Sequence, residues 1–352
     1  MIRPGDDTNS IAAAADCIRA GGLIGLPTET VYGLAADADN DWAVAQIFAA
    51  KGRPVGHPLI VHIANVRAAR HFAADVPDFA AALMQAFWPG PLTLILPRRP
   101  GVASAAAGGH PTIGLRCPAH PVALALLNWG QSRIDSANPE FSQKEFDSDP
   151  NYLLWGLAAP SANQFGRVSP TTAGHVRDEL GDELLILDGG SCDIGIESTI
   201  IDCSRGAPVL LRPGAITPAQ VQAACGHPVL QKEALPTLAA PAPKASGTLE
   251  SHYAPRARLR LMTGPVLQQA WGKLTTRQRS RLALWWRSGG FVPSGQLSGQ
   301  PMPQQAADAA QQLFAVLRHF DHLGADQIWV ETPPDLPEWD GVRDRLQRAA
   351  AS

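Results

Sequence analysis

Short apolar runs alternate with helix-patterned stretches through most of this 352-residue chain, and that alternation limits the possible folds more than any other feature. Runs at 23–26, 59–63, 92–96, 113–115, 184–187, 199–202 and 209–211 have strand character. Residues 9–20, 42–50, 79–87, 122–127, 173–180 and 218–224 space their apolar side chains as a helix does. Strands joined through helices build an α/β layer structure, because each apolar sheet face needs a covering layer. The pattern predicts one such domain over residues 8–229, with Thr8 or Asn9 capping its first helix.

Residues 230–254 shift to Ala, Pro, Lys, Ser and Gly with little periodicity and read as a linker. Strand patterns at 259–262, 282–286 and 327–331, with helices at 266–274, 304–322 and 339–350, predict a small C-terminal three-stranded Rossmann-like α/β domain at 255–352. Residues 128–152 are polar and aromatic and stand between an apolar helix and the apolar run 153–159, so they read as a surface insertion.

Composition narrows the function. Lys plus Arg number 29 against 32 Asp plus Glu, a net charge of −3, which argues against a protein that coats a nucleic-acid backbone. With 45% hydrophobic and 17% charged residues the chain is globular, not disordered. Cys17, Cys117, Cys192, Cys203 and Cys225 are scattered with no Cys-x-x-Cys pair and no matched His spacing, so they suggest neither a zinc site nor a disulfide framework and point to a reducing, cytoplasmic setting. The first ten residues lack a signal-peptide core, and no run nears the ~18 apolar residues of a membrane span.

Neither a G-x-G-x-x-G turn nor a P-loop is present. Polar clusters instead stand at the edges of the apolar runs. Residues 27–34 read PTETVYGL and place Thr30 after a strand; an ordinary capped turn is the alternative. Residues 51–62 read KGRPVGHPLIVH. Pro54 pushes Arg53 out of helix, so Lys51 and Arg53 are expected in an extended segment facing one side, with His57 and His62 nearby; a solvated helix end is the alternative. Residues 112–121 carry Thr112 and Arg116, 158–171 carry Ala159, Ser161, Asn163 and Ser169, 195–199 carry Ser198, and 211–214 carry Arg212. Lys51, Arg53, Arg116 and Arg212 amid hydroxyl and amide donors are the equipment of phosphoryl or nucleotidyl transfer, where positioning and charge stabilisation do most of the catalysis.

The order and wording of PTETVYGL, KGRPVGHPLIVHI, FWPGPLT, TIGLRCPAHP, APSAN, DGG, ESTI and LLRPG resemble the YrdC-like domain of the L-threonylcarbamoyladenylate synthases. Residues 251–255, SHYAP, and the segment after them resemble the long two-domain form of that family. The resemblance implies a twisted mixed sheet with flanking helices. It also implies a nucleotidyltransferase that makes threonylcarbamoyl-AMP and pyrophosphate from L-threonine, bicarbonate and ATP with Mg²⁺. By the same resemblance the product is expected to pass to a tRNA threonylcarbamoyl transferase complex, which would modify the adenosine beside the anticodon. It further implies threonine contacts at Thr30, His62, Arg116, Ala159 and Ser198, and ATP contacts at Arg53, His57, Thr112, Ser161, Ser169, Arg212 and Tyr253. Lys51 and Asn163 join Arg53 and Arg116 as catalytic candidates, and the linker is expected to fold over the site. Two alternatives stand beside this: a carbamoyl-adenylating domain of the same fold, and an RNA-binding module built on the eight basic residues between Arg256 and Arg287.

Overall fold

The apolar runs become strands, and the strands assemble into two separate sheets. The computed structural model describes residues 1–135, 153–231, 247 and 252–351. The larger sheet collects β1 (Ile2–Pro4), β2 (Ile24–Leu26), β3 (Gly33–Asp37), β4 (Ile60–His62), β5 (Leu92–Pro97), β6 (Thr112–Arg116), β7 (Leu157–Ala158), β8 (Leu185–Asp188), β9 (Thr199–Asp202), β10 (Val209–Arg212) and β11 (Leu230–Gln231). The helices of this part are α1 (Thr8–Arg19), α2 (Asp41–Lys51), α3 (Val66–Phe72), α4 (Asp78–Phe87), α5 (Pro121–Asp135), α6 (Ala173–Leu180) and α7 (Pro218–Cys225). The smaller sheet holds β12 (Arg258–Met262), β13 (Leu282–Trp286), β14 (Ser298–Pro301) and β15 (Gln327–Glu331), with α8 (Gly264–Gly272), α9 (Thr276–Arg279), α10 (Ala306–His322) and α11 (Asp340–Ala350).

The larger sheet runs β1-β8-β2-β3-β7-β4-β6-β5-β9-β10-β11 and mixes parallel with antiparallel pairs. Its centre sets the site. β4 and β6 are parallel and end together, with His62 the register partner of Arg116. β5 and β9 begin together at the same edge, Leu92 opposite Thr199, and β10 ends there antiparallel to β9.

Local chemistry explains most element ends. The Asn40 side chain accepts from the Ala43 amide to start α2, and Gly52, at φ +59°, ends it in the left-handed conformation that glycine enters most easily. Thr217 and Gln220 form a capping box on α7. Asp7, not the expected Thr8 or Asn9, caps α1, because its carboxylate reaches the amides of both Asn9 and Ser10.

Several expectations are corrected. The small sheet has four parallel strands, not three: Ser298–Pro301 pairs with β13 although its Ser-Gly-Gln-Pro sequence has no strand signature. Residues 128–135 continue helix α5 and are not loop; the rest of the expected insertion, 136–152, lies outside the described residues. The expected linker begins as strand β11 on β10. Of its remainder, Gly247 and residues 252–254 are described, and 232–246 and 248–251 lie outside the described residues.

The two parts share a core. α10 buries Leu313, Phe314, Leu317 and Phe320, and α11 buries Val342, Leu346 and Ala349. The same cluster takes in Val31, Val168 and Ile196 from loops of the larger sheet, and Tyr253. At roughly 1.5–3 kcal/mol per fully buried large apolar side chain, such a shared core docks the small domain firmly. Among the described residues, no helix is long and apolar enough to cross a membrane.

Candidate active site

At the shared edge of the central strands lies a cavity of about 50 Å³. Arg116 enters it from the end of β6, 3% exposed. Its Nη2 meets Glu29 Oε1 at 2.6 Å, Nη1 donates to Thr30 Oγ1 at 2.7 Å, and Nε donates to the Gly90 carbonyl at 3.2 Å. Thr28 Oγ1 donates to the Val31 carbonyl at 2.6 Å and lies 2.9 Å from Thr30 Oγ1, which locks the turn between β2 and β3 around the guanidinium. Beside it, burial and then the Arg116 charge push the His62 imidazole down to about 3, so this ring is neutral at neutral pH. Its Nδ1 has no hydrogen-bond partner among the described residues.

Two further guanidiniums share the cavity. Arg212, at the end of β10, donates through Nε and Nη2 to the Ser198 carbonyl at 3.1 and 2.9 Å, and through Nη2 to Ser198 Oγ at 3.2 Å. Thr93 fixes that hydroxyl from β5 at 2.8 Å. Arg53 donates to the Pro58 carbonyl at 3.1 Å and lies over the Phe165 ring, and burial lowers its guanidinium to about 10. Glu29 and Glu197 are the acidic partners near these three arginines, and Glu197 is itself also paired with Arg345 of α11. Three guanidiniums against the two carboxylates, with Glu197 shared with Arg345, leave the pocket cationic.

The structure gathers most of the expected site. Thr30, His62 and Arg116 line the cavity with Ala159, Ser161 and Ser198, and so do Arg53, Arg212 and Tyr253. Five others lie off it. Lys51 is the last residue of α2 and is followed by left-handed Gly52, so the expected extended pairing with Arg53 does not occur. Its Nζ turns behind the wall to donate to the Ser161 and Asn163 carbonyls, and burial followed by the Arg53 charge pushes it down to about 7. Asn163 donates to the Gln164 and Arg167 carbonyls and shapes that loop from behind. Ser169 donates to Glu197. His57 packs edge-on to Phe165, and Thr112 stands at the opposite end of β6 from Arg116.

Other lining residues were not among the expected contacts: Thr28, Val31, Glu197, Gly247 and His252. The signals for Thr28, Val31, Glu197 and His252 lay in the quoted motifs PTETVYGL, ESTI and SHYAP, but a motif does not say which of its side chains turn inward, and Gly247 lies outside every quoted motif. For Glu197, burial pushes the carboxyl up, and the Arg345 and Arg212 charges with the Ser169 hydrogen bond more than reverse this, leaving it below the usual range. Tyr253 adopts φ +63°, an uncommon conformation for a side-chain-bearing residue. The phenol is buried with no hydrogen-bond partner among the described residues, and burial, then Glu197, pushes it up to about 12.

The basic run of the small domain is partly consumed by its own fold. Arg281 pairs with Asp326 at 2.6 Å, Arg279 lies over Trp271, and Arg287 lies over Trp339.

A family model described as telomere recombination matches residues 16–214, and one described as the threonylcarbamoyl-AMP synthase C-terminal domain matches residues 216–351. The chain is 36% identical over 351 residues to threonylcarbamoyl-AMP synthase of Pyrococcus abyssi, covering 97% of this chain and 94% of that protein. It is 36% identical over 354 residues to the Bacillus subtilis enzyme of the same name, covering 97% and 92%. The crystal structure of Pyrococcus abyssi Sua5 complexed with L-threonine matches with a TM-score of 0.78 at 33% identity, covering 97% of this chain and 94% of that one. With both domains matched over nearly their whole length, the chain belongs to the two-domain threonylcarbamoyl-AMP synthase family.

Proposed function

We propose that this chain makes L-threonylcarbamoyl-AMP and pyrophosphate from L-threonine, bicarbonate and ATP, for threonylcarbamoyladenosine modification of tRNA. The observation that carries the reading is the convergence of Arg53, Arg116 and Arg212 on one cavity that also presents Thr30, Ser161 and Ser198. A carboxylate and a polyphosphate both suit such a lining.

In this reading Arg116 takes the threonine carboxylate as a fork, with Thr30, Ser198 and the Ala159 backbone around it. The neutral His62 ring meets the substrate without adding charge. The freed amine attacks bicarbonate and loses a proton, water leaves, and a carbamate forms. A carbamate oxygen then attacks the α-phosphorus of ATP in line, and pyrophosphate departs. Arg53 and Arg212 hold the charge that builds up on the phosphates, while Ser161 and Tyr253 position the nucleotide. Lys51, Asn163 and Ser169 act from behind by fixing the Ser161 loop and Glu197. His57 and Thr112 would meet outer parts of ATP.

Mg²⁺ would neutralise phosphate charge, but the cationic lining does not fit a protein cage for it. Among the described residues no group of three or more His, Cys, Asp or Glu could hold the ion, so its ligands would come chiefly from the phosphates. The linker's role as a cover rests on Gly247, His252 and Tyr253, which close one side of the cavity. The five free thiols support a reducing, cytoplasmic setting. The adenylate would reach tRNA through the transferase complex. Mass-spectrometric detection of threonylcarbamoyl-AMP from the purified chain, omitting each substrate in turn, tests the reading: product formed without threonine or without bicarbonate would overturn it.

A further inference from the structure

Arg345 belongs to α11 of the small domain, yet it is fully buried against the cavity wall of the larger one. Its Nε donates to Glu197 Oε2 at 2.9 Å, Nη2 to the Glu197 carbonyl at 3.0 Å, and Nη1 to the Pro213 carbonyl at 2.6 Å. Asp344, its neighbour on α11, accepts a further bond from Nη1 at 2.9 Å. Its guanidinium carbon lies over the Tyr253 ring, 5.4 Å from the centroid. One side chain thus grips the entry to β9, the exit of β10 and the linker at once. The other Glu197 oxygen accepts from Ser169, so the carboxylate is clamped from both sides, and the next residue, Ser198, holds Arg212.

Adhesion between the domains does not require this pair. Ile196 already packs into the small domain's core, and the backbones meet closely: a Cβ on Gly341 would lie 2.7 Å from Ile196 Cδ1, and one on Gly195 would lie 2.4 Å from the Gln311 carbonyl. A buried ion pair seldom adds net stability over an apolar replacement; what it supplies is direction. Glu197 also lines the cavity, where an uncancelled negative charge would oppose phosphate.

We propose that Arg345 is a positioning residue of the active site, which orients Glu197 and Tyr253 and thereby Ser198 and Arg212, so that the C-terminal domain is a working part of the catalytic site. The proposal rests on the reaction given above. A misplacement of about 1 Å costs on the order of 100-fold in rate.

The test compares Arg345→Met, Glu197→Gln, their double variant and Arg345→Lys in the full chain, by threonine-dependent pyrophosphate release and by thermal unfolding. Arg345→Met should lower kcat/KM for ATP by about 100-fold, on the scale of such a misplacement, and adding Glu197→Gln should cost no further loss, because the two act as one unit. Arg345→Lys keeps the charge but loses the fork, and should unfold near the wild-type temperature while losing about tenfold, roughly one bidentate contact. Wild-type kcat and KM in a folded Arg345→Met chain, or single losses that multiply in the double variant, would overturn the role. If Arg345→Met does not fold, Arg345→Lys decides, and wild-type kinetics there overturn it. Absence of threonine-dependent release from the unsubstituted chain would remove the reaction itself, whereas release from it with unaltered variants removes only the role of Arg345.

Discussion

Both sheets bury a charged residue at a strand end, and they treat it in opposite ways. At the end of β15, Glu331 accepts from the Arg287 amide at 2.7 Å, the Ser288 amide at 2.8 Å and the Ser288 hydroxyl. Gly264 packs so closely there that a Cβ would lie 2.7 Å from Glu331 Oε1. At the ends of β6 and β10, Arg116 and Arg212 face a cavity, beside the His62 Nδ1 and the Tyr253 hydroxyl, which have no hydrogen-bond partner among the described residues. A parallel sheet's carboxyl edge is the usual ligand site of an open α/β fold, yet here the all-parallel sheet has spent its strand-end charge on its own backbone. The mixed sheet keeps buried polar groups in reserve, which is costly in a folded chain unless a ligand completes them.

The sharpest way to break this contrast is to remove a strand-end charge on each side. Arg116→Ala should lower kcat/KM for threonine by 10²–10³, about 2.7–4 kcal/mol by analogy with other deleted transition-state donors, in the pyrophosphate-release assay. Turnover retained within threefold would place the threonine carboxylate elsewhere.

The histidines of the cavity give the next largest effect. His62 and His252 are pushed down to about 3 and about 4, chiefly by burial, below an ordinary value of 6.5. Between those values the unfolded chain binds more protons than the folded one, so stability is full above pH 6.5 and falls as the solution is acidified. Each ring should contribute a loss of roughly 3 kcal/mol by pH 4, at about 1.4 kcal/mol per unit. Denaturant titrations at pH 7 and pH 4 should show a shallower acid loss for His252→Gln than for the unsubstituted chain, and an equal loss would contradict a buried neutral ring.

Lys51 titrates on the other side of neutrality. Its folded value of about 7 lies below the ordinary 10.5, so from pH 7 upward the unfolded chain holds the extra proton and this group makes stability rise with pH. Lys51→Met should flatten that rise when unfolding is compared at pH 7 and pH 9, and an unchanged slope would mean that the ammonium keeps its proton against the Ser161 and Asn163 carbonyls.

The smallest effect belongs to the small sheet. Glu331→Gln should lower stability by about 1–3 kcal/mol, the worth of its charged hydrogen bonds, and leave kcat unchanged. A loss of turnover without loss of stability would show that this edge also serves the reaction.

How far the sequence reaches can be seen residue by residue. The strands at Leu92–Pro97 and Thr199–Asp202 and the helix Ala173–Leu180 were legible, because apolar spacing and caps act locally. Gly33–Asp37 was not, since Gly-Leu-Ala-Ala-Asp has weak strand preference and is held extended by β2 and β7 on its two sides. Arg53, Arg116 and Arg212 could be picked out as cations at element edges, but nothing in the chain states that His62 and Arg116 are register partners. Lys51 shows the limit most plainly: one residue before a left-handed glycine, it turns behind the wall, whereas Arg53 lines the cavity.

The sequence by itself determined the alternation of strand and helix, the absence of a cysteine framework and the motifs that mark the family, because these depend on near neighbours and residue chemistry. Only the tertiary structure decided which motif residues share one cavity, that the small domain reaches it through Arg345, and that the other sheet's strand-end charge is already used. Those facts follow from strand order and domain docking, which join residues as far apart as Glu197 and Arg345 and leave no trace in local spacing.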